Sequence, residues 1–189
     1  MHEWAMLYRG EGAPEPLKYQ ALPLRVDQRT INDAVDAADL VCTHWDAFVR
    51  FAEETKPRNS LALSRESQLD HDQPACVHAN MDLLKYALRL APLVPAELIG
   101  DCLELAMDAR RLDMRASPYD LTDSGLSELD SSPIRVETPA GRREYVHFQS
   151  QIHDRAQPIR DALLDAYDRF FLARALASGT PTPPGVLNR

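Results

Sequence analysis

The chain of 189 residues carries 29 acidic against 21 basic side chains, a formal net charge of −8, with 44% hydrophobic and 26% charged residues. That balance suits a globular domain with a sizeable core, and its acidity argues against a generic nucleic-acid binder, whose affinity comes largely from neutralising phosphates. No run approaches the roughly 18 apolar residues of a membrane span, and Glu3, Arg9, Glu11, Glu15 and Lys18 interrupt any secretory apolar segment.

HEWAMLYR (2–9) alternates Trp4, Met6 and Tyr8 with Glu3, Ala5, Leu7 and Arg9, the period of a half-buried strand. After the turn residues GEGAPEP, ALPLRV (21–26) alternates again, with Pro23 assigning it to an edge. The two predict an antiparallel pair. Thr30 with Asp33 resembles a capping box opening a short helix through Ala38. LVCTHWDAFVRF (40–51) reads as a strand giving way to a short helix near Asp46, and NSLALS (59–64) as one more short strand.

The second half is helical. In residues 76–90, Val77, Met81, Leu84 and Leu88 recur at helical spacing. Pro92 and Pro95 bound that helix, and Pro95 opens the next, which runs to about Met114 and buries Leu98, Cys102, Leu105, Ala109 and Leu112. So short a link predicts an antiparallel pair. Residues 116–137 form a Ser- and Asp-rich connection, with 133–137 extended. Thr138 caps a long helix with Pro139 at its first position. Tyr145, Phe148 and Ile152 mark its inner face, and Pro158 kinks or breaks it before Ile159, Leu163, Tyr167 and Phe170. The composition of 178–189 is that of a disordered tail. The expected fold is α+β and predominantly helical. A short antiparallel sheet near the N-terminus packs on an antiparallel helix pair and a long kinked C-terminal helix, in a single domain over 1–177.

Cys42, Cys76 and Cys102 form no C-x-x-C pair and read as buried free thiols of a cytoplasmic protein. His78, Asp82, Lys85 and Arg89 fall on one narrow helical stripe, read as a solvated face opposite the core. Glu97, Asp101, Glu104 and Asp108 stack like charges one turn apart on the next helix, each pair costing about 0.2–0.5 kcal/mol unless a cation faces it. Lys85, Arg89 or a metal could do so, His78 and Asp82 ligating with Asp101 or Glu104. The Glu-x-x-His pairs of carboxylate-bridged bundles and H-E-x-x-H are both missing, and no metal or cofactor is assigned. His44, beside Trp45 and Asp46, reads as a partly buried structural histidine. G-x-S-x-G and the phosphate-binding glycine loops do not occur.

RRLDMRASPYDL (110–121) crowds three arginines, two aspartates, a serine and a tyrosine at a helix end fixed by Pro118. Arginines there complement the terminal carbonyls, but capping needs only one. Arg115, Ser117, Tyr119 and Asp120 together suggest a ligand clamp. In it an Arg115–Asp120 pair fixes the turn and presents Tyr119 to the cleft between the two long helices.

HEWAMLYR, CTHWDAF, CVHANMDLLKYA, DCLELAMDARRLDMRASPYDL and IRVETPAGRREYV together resemble an actinobacterial family generally labelled 3-methyladenine DNA glycosylase, over about residues 1–150. Members of that family begin well before HEWAM, so an N-terminal part is expected to be missing, and SGLSELDSS resembles an insertion. The resemblance implies a DNA-repair hydrolase that excises alkylated purines by N-glycosidic cleavage, with damaged DNA as partner. Such an enzyme needs aromatic faces for the extruded base and a carboxylate beside the sugar. Trp4, Trp45 and Tyr119 are the stacking candidates and Asp113 or Asp120 the catalytic carboxylate. The arginine cluster would take phosphates, and Arg115, Ser117, Tyr119, Trp45, His78 and Asp82 would bind substrate. The alternatives are a small-molecule enzyme, with or without a metal, and a non-catalytic binding protein. No membrane association is expected, and the oligomeric state is open.

Overall fold

The computed structural model describes residues 1–13, 21–125 and 132–179. Its elements are α1 (His2–Met6), α2 (Gln28–Asp36), α3 (Trp45–Phe48), a 3₁₀ turn (Lys56–Arg58), α4 (Gln68–His71), α5 (Val77–Leu90), α6 (Ala96–Arg115) and α7 (Pro139–Ser178). Among these residues there is no β-strand, so the α+β expectation with its N-terminal sheet is corrected to an all-helical fold.

The reason lies in burial. Trp4, Ala5, Met6 and Leu7 are all buried, which needs apolar surroundings on every side rather than on alternate sides. The segment expected to pair with them lies instead along the end of α6. Leu24 bridges Tyr119, Arg25 N donates to Pro118 O at 2.9 Å, and Asp120 N donates to Pro23 O at 2.8 Å. The strand expected at 59–64 shrinks to one bridge, Leu40 to Asn59, with Ser60 N on Leu40 O. The helix expected to open at Thr30 opens earlier, because the Asp27 carboxylate accepts from Thr30 N at 2.8 Å and serves as the cap.

The core is the α5–α6 hairpin crossed by α7. The link 91–95 is too short for anything but antiparallel neighbours, and both helices pack against α7. Their seam is built from small side chains, Ala79, Ala87, Cys102 and Ala109, all 2% exposed or less. Small residues let helix axes approach closely. That rotates α5 relative to the expected face: Asn80, Leu83 and Leu90 are buried, whereas Leu88 is 56% exposed.

Helix α7 is tied down along its length. Gln149 donates to Ala75 O, Arg160 to Asn80 Oδ1 at 2.7 Å, and Tyr167 to Tyr86 O. It runs unbroken through Pro158, which is exposed together with Asp154 one turn earlier, where water can satisfy the freed carbonyl. Thr138 caps it as expected, its hydroxyl accepting from Gly141 N at 3.1 Å. A Cβ at Gly141 would lie 2.0 Å from Arg135 O, so only glycine lets this first turn seat against the preceding chain. The helix extends to Ser178, and the rest of the expected tail, 180–189, lies outside the described residues, as does most of SGLSELDSS. Among the described residues no helix is long and apolar enough to cross a membrane.

Arg25 locks this frame together. Its guanidinium meets Glu137 through two hydrogen bonds of 2.7 and 2.9 Å, its Nε donates to Ser117 O, and it lies over the Trp4 ring at 5.3 Å. Burial pushes the Glu137 carboxyl up, but the bonds from Arg25 outweigh it and hold the group below the ordinary glutamate range. A depressed folded-state value contributes stability above the unfolded value, which is lost as pH falls through the folded one. Glu137→Gln is therefore expected to cost about 2 kcal/mol at pH 7, between the exposed-pair and buried-pair ranges. The gap to wild type should narrow in urea melts below about pH 4; a gap that stays constant down to pH 3 would contradict the pairing.

Candidate functional site

Three helices bring an unusual set of polar side chains together. Helix α1 supplies His2 and Glu3, α5 supplies His78 and Asp82, α6 supplies Arg110 and Asp113, and His44 comes from the N-terminal boundary of α3. Asp113 is 3% exposed and Glu3 5% exposed, so both are carboxylates inside the protein. The Asp113 Oδ1 atom lies 3.2 Å from His2 Nε2, and its Oδ2 accepts from Arg110. Glu3 Oε1 lies 3.3 Å from Arg110 and 3.6 Å from His2 Nε2, while Glu3 Oε2 is buried without a hydrogen-bond partner among the described residues.

The imidazoles form a continuous run. His2 meets His78 edge-on at 4.2 Å between ring centroids, and His78 lies 5.4 Å from His44. His44, 2% exposed, faces Asp82 Oδ2 at 3.4 Å, and its Nδ1 has no partner among the described residues. Burial pushes the His78 pKa down to about 2, helped by His2, His44 and Arg110, so this ring is neutral. Burial raises Asp82, but the hydrogen bonds from His44 and Lys85 outweigh it and keep it an anion.

His2 and His78 open onto a cavity of about 610 Å³, bounded by Leu40–Thr43, Phe51, Leu61, Gln73, Ala75–Val77 and, from α7, Tyr145 and Gln149. Its size suits a small-molecule site. Its lining combines apolar side chains, Leu40, Phe51 and Leu61, with the two imidazoles. Burial, then the charges of Asp113 and Cys76, pushes the Tyr145 phenol far above its ordinary range, so its hydroxyl remains a donor.

The residues singled out in the sequence divide. His78 and Asp113 meet in this centre, and Asp82 borders it through His44. The stripe expected to be solvated is thus turned inward at His78 and Asp82. Asp120 lies elsewhere, accepting from the amide and hydroxyl of Thr122. Ser117 is 1% exposed and bonded to Met114 O. Tyr119, 1% exposed, is core rather than a face presented to the cleft, and Trp4 is 0% exposed. Trp45 is half-buried beside Phe48 on α3.

The expected Arg115–Asp120 pair does not form. Arg115 donates to Ser132 O, stacks over Phe148 at 5.3 Å and lies 3.9 Å from Glu144. The three arginines diverge around the helix: Arg110 turns to Glu3 and Asp113, while Arg111 turns to Asp108, which also takes Arg155 from α7. Arg111 and Arg115, one turn apart, share a face and line one groove with Asp108, Phe148 and Arg155, whereas Arg110 is turned about 100° away to Glu3 and Asp113, so the three do not form a single clamp. Asp101 and Glu104 are exposed and are not among the ligand atoms grouped around His78. Sequence reading missed His2, Glu3 and Tyr145. Helix α1 is too short to show a period, and only the adjacent His-Glu pair before a tryptophan signalled it.

Comparison with protein-family models, with curated proteins and with solved structures finds no match for this chain.

Cys42 and Cys76 also border the cavity. Burial raises both thiols, Cys76 to about 11. At pH 8 a thiol of that pKa is ionised to roughly 0.1%, against roughly a quarter for free cysteine. Native protein should therefore react with iodoacetamide at Cys76 more than about 100-fold slower than urea-unfolded protein, as read by peptide mass spectrometry. Rapid native labelling would show that the cavity wall is open and polar.

Proposed function

We propose that the chain is a hydrolytic enzyme acting on a small amphipathic molecule held in the cavity of about 610 Å³. One observation carries this reading: the His2 and His78 imidazoles that line the cavity are backed by the buried carboxyl groups of Asp113 and Glu3, and Glu3 Oε2 has no hydrogen-bond partner among the described residues. Burying such groups costs free energy that packing alone does not return, and groups kept in that state are candidates for chemistry.

The reaction class follows from what could attack. The cavity thiols are held protonated, no serine appears among the described lining residues, and among those residues no hydrogen bond joins the Thr43 hydroxyl to an imidazole or carboxylate that could activate it. Water is then the nucleophile, activated at the His2–His78–Asp113 centre. Tyr145 donates a hydrogen bond to the substrate, Gln149 lies beside it, and Leu40, Phe51 and Leu61 receive its apolar part.

Base excision from DNA, the function implied by the family resemblance, is the competing reading. Stacking an extruded base needs an accessible aromatic face, and two of the three candidates are core residues: Trp4 at 0% and Tyr119 at 1% exposure. The net charge of −8 also favours a small substrate over a polyanion.

A panel of esters, amides, phosphoesters and free nucleosides, run beside alkylated duplex DNA, tests this. Turnover of one small-molecule class is expected, reduced on the order of 100-fold or more in Asp113→Asn, with no base released from DNA. Release of 3-methyladenine from the duplex by wild type, lost in Asp113→Asn, would overturn the small-molecule assignment. So would a panel with no turnover at all.

A further inference from the structure

We infer that His2, His78 and Asp113 hold one divalent first-row transition-metal ion, zinc, manganese or iron(II), with open coordination positions facing the cavity. This deepens the hydrolytic reading and rests on it.

Geometry carries the inference. One donor atom from each of the three residues lies within 4.8 Å of the others. His2 Nε2 and Asp113 Oδ1 face each other at 3.2 Å. With metal–ligand bonds of about 2.0–2.2 Å, two tetrahedral donors sit about 3.3 Å apart, so that pair is already at ligand spacing. The donors come from α1, α5 and α6, so the fold builds the site and no single helix does.

Charge is the second, independent observation. Glu3 and Asp113 place two buried carboxyl groups beside Arg110, whose side chain is 39% exposed, and the α-amino group of Met1, whose pKa burial pushes down. Glu3 Oε2 is buried without a hydrogen-bond partner among the described residues, while Glu3 Oε1 lies 3.6 Å from the same His2 nitrogen. A buried carboxyl oxygen left without a partner is costly, and an ion between His2, His78 and Asp113 would place positive charge beside it. Glu3 and Arg110 then orient the ligands from behind, as the outer partners of metal ligands do.

Two imidazoles and one carboxylate are the donor set of catalytic sites that keep positions for water and substrate. Both imidazoles border the cavity, so the open positions face the substrate. A zinc ion held there would lower the pKa of its bound water toward neutrality, and any of these ions would polarise a substrate oxygen as a Lewis acid.

The test is titration of tag-free, chelator-stripped protein with zinc, manganese and anaerobic iron(II) by calorimetry, with cobalt(II) absorption as a second readout. One equivalent of at least one ion should bind. His78→Gln and Asp113→Asn should weaken it more than 100-fold, and Glu3→Gln by roughly the 10–100-fold typical of an outer partner. His147→Gln, exposed on α7, should bind as wild type does. The cobalt spectrum should show ligand-field bands without thiolate charge transfer; it needs no variant, so a variant that fails to fold does not decide the matter. Absence of one-to-one binding, binding unchanged in His78→Gln, or a thiolate band from Cys42 or Cys76 would overturn the site. Metal bound without turnover of any panel member would overturn the hydrolytic reading and leave the ion. Full turnover in chelator-stripped protein would do the reverse.

Discussion

The indole of Trp4 holds the first helix in place, and the candidate site depends on it. Helix α1 has five residues, far too few to be helical alone. Trp4 is fully buried, its Nε1 donates to Ala116 O at 2.8 Å, and Arg25 covers the ring. Thr55 adds a second tie by donating to Ala5 O at 3.0 Å. Burial of a tryptophan contributes several kcal/mol, enough to fix an element too short to be helical on its own. His2 and Glu3 precede that anchor by two residues and one, so where the indole seats decides where they point.

What they point at is Asp113, itself placed by the same helix end. Ala116, whose carbonyl receives the indole, lies three residues beyond it as the C-terminal cap of α6. Anchor and site thus share one turn of backbone. Arg25 extends this to α7: it covers Trp4, caps the chain at Ser117 and grips Glu137 just before α7 begins. The packing that stabilises this corner also assembles a cluster that on its own account is unfavourable. Buried Glu3, Asp113 and His44 retain costs the helices do not require of them, since Trp4 and Ala116 could meet without any of the three.

The long elements were legible in the sequence because their signals are redundant. Proline at 95 and 139, Thr138 before the last helix, and apolar residues at helical spacing all agree, and α5, α6 and α7 fall where they were expected. The short first element was not. Over eight residues, alternation and full burial leave the same trace, and tertiary packing around Trp4 decided between them. The face of α5 was misread for a related reason. The largest apolar residues were taken as the core, whereas alanines form the seam and turn His78 and Asp82 inward. Of the site, Asp113, His78 and Asp82 were visible as chemistry-bearing residues. Their partners were not, since His2 and Glu3 meet Asp113 and Arg110 across more than a hundred positions of chain.

The candidate site stands on α1 delivering its histidine to α5 and α6. Its most direct test is the nuclear Overhauser contact between the ring protons of His2 and His78, whose centroids lie 4.2 Å apart. Selectively labelled wild-type protein should show that cross-peak, and Trp4→Ala should lose it while the α5–α6 contacts remain. A wild-type protein without it, its His2 ring exchanging freely with solvent, would contradict the assembled site.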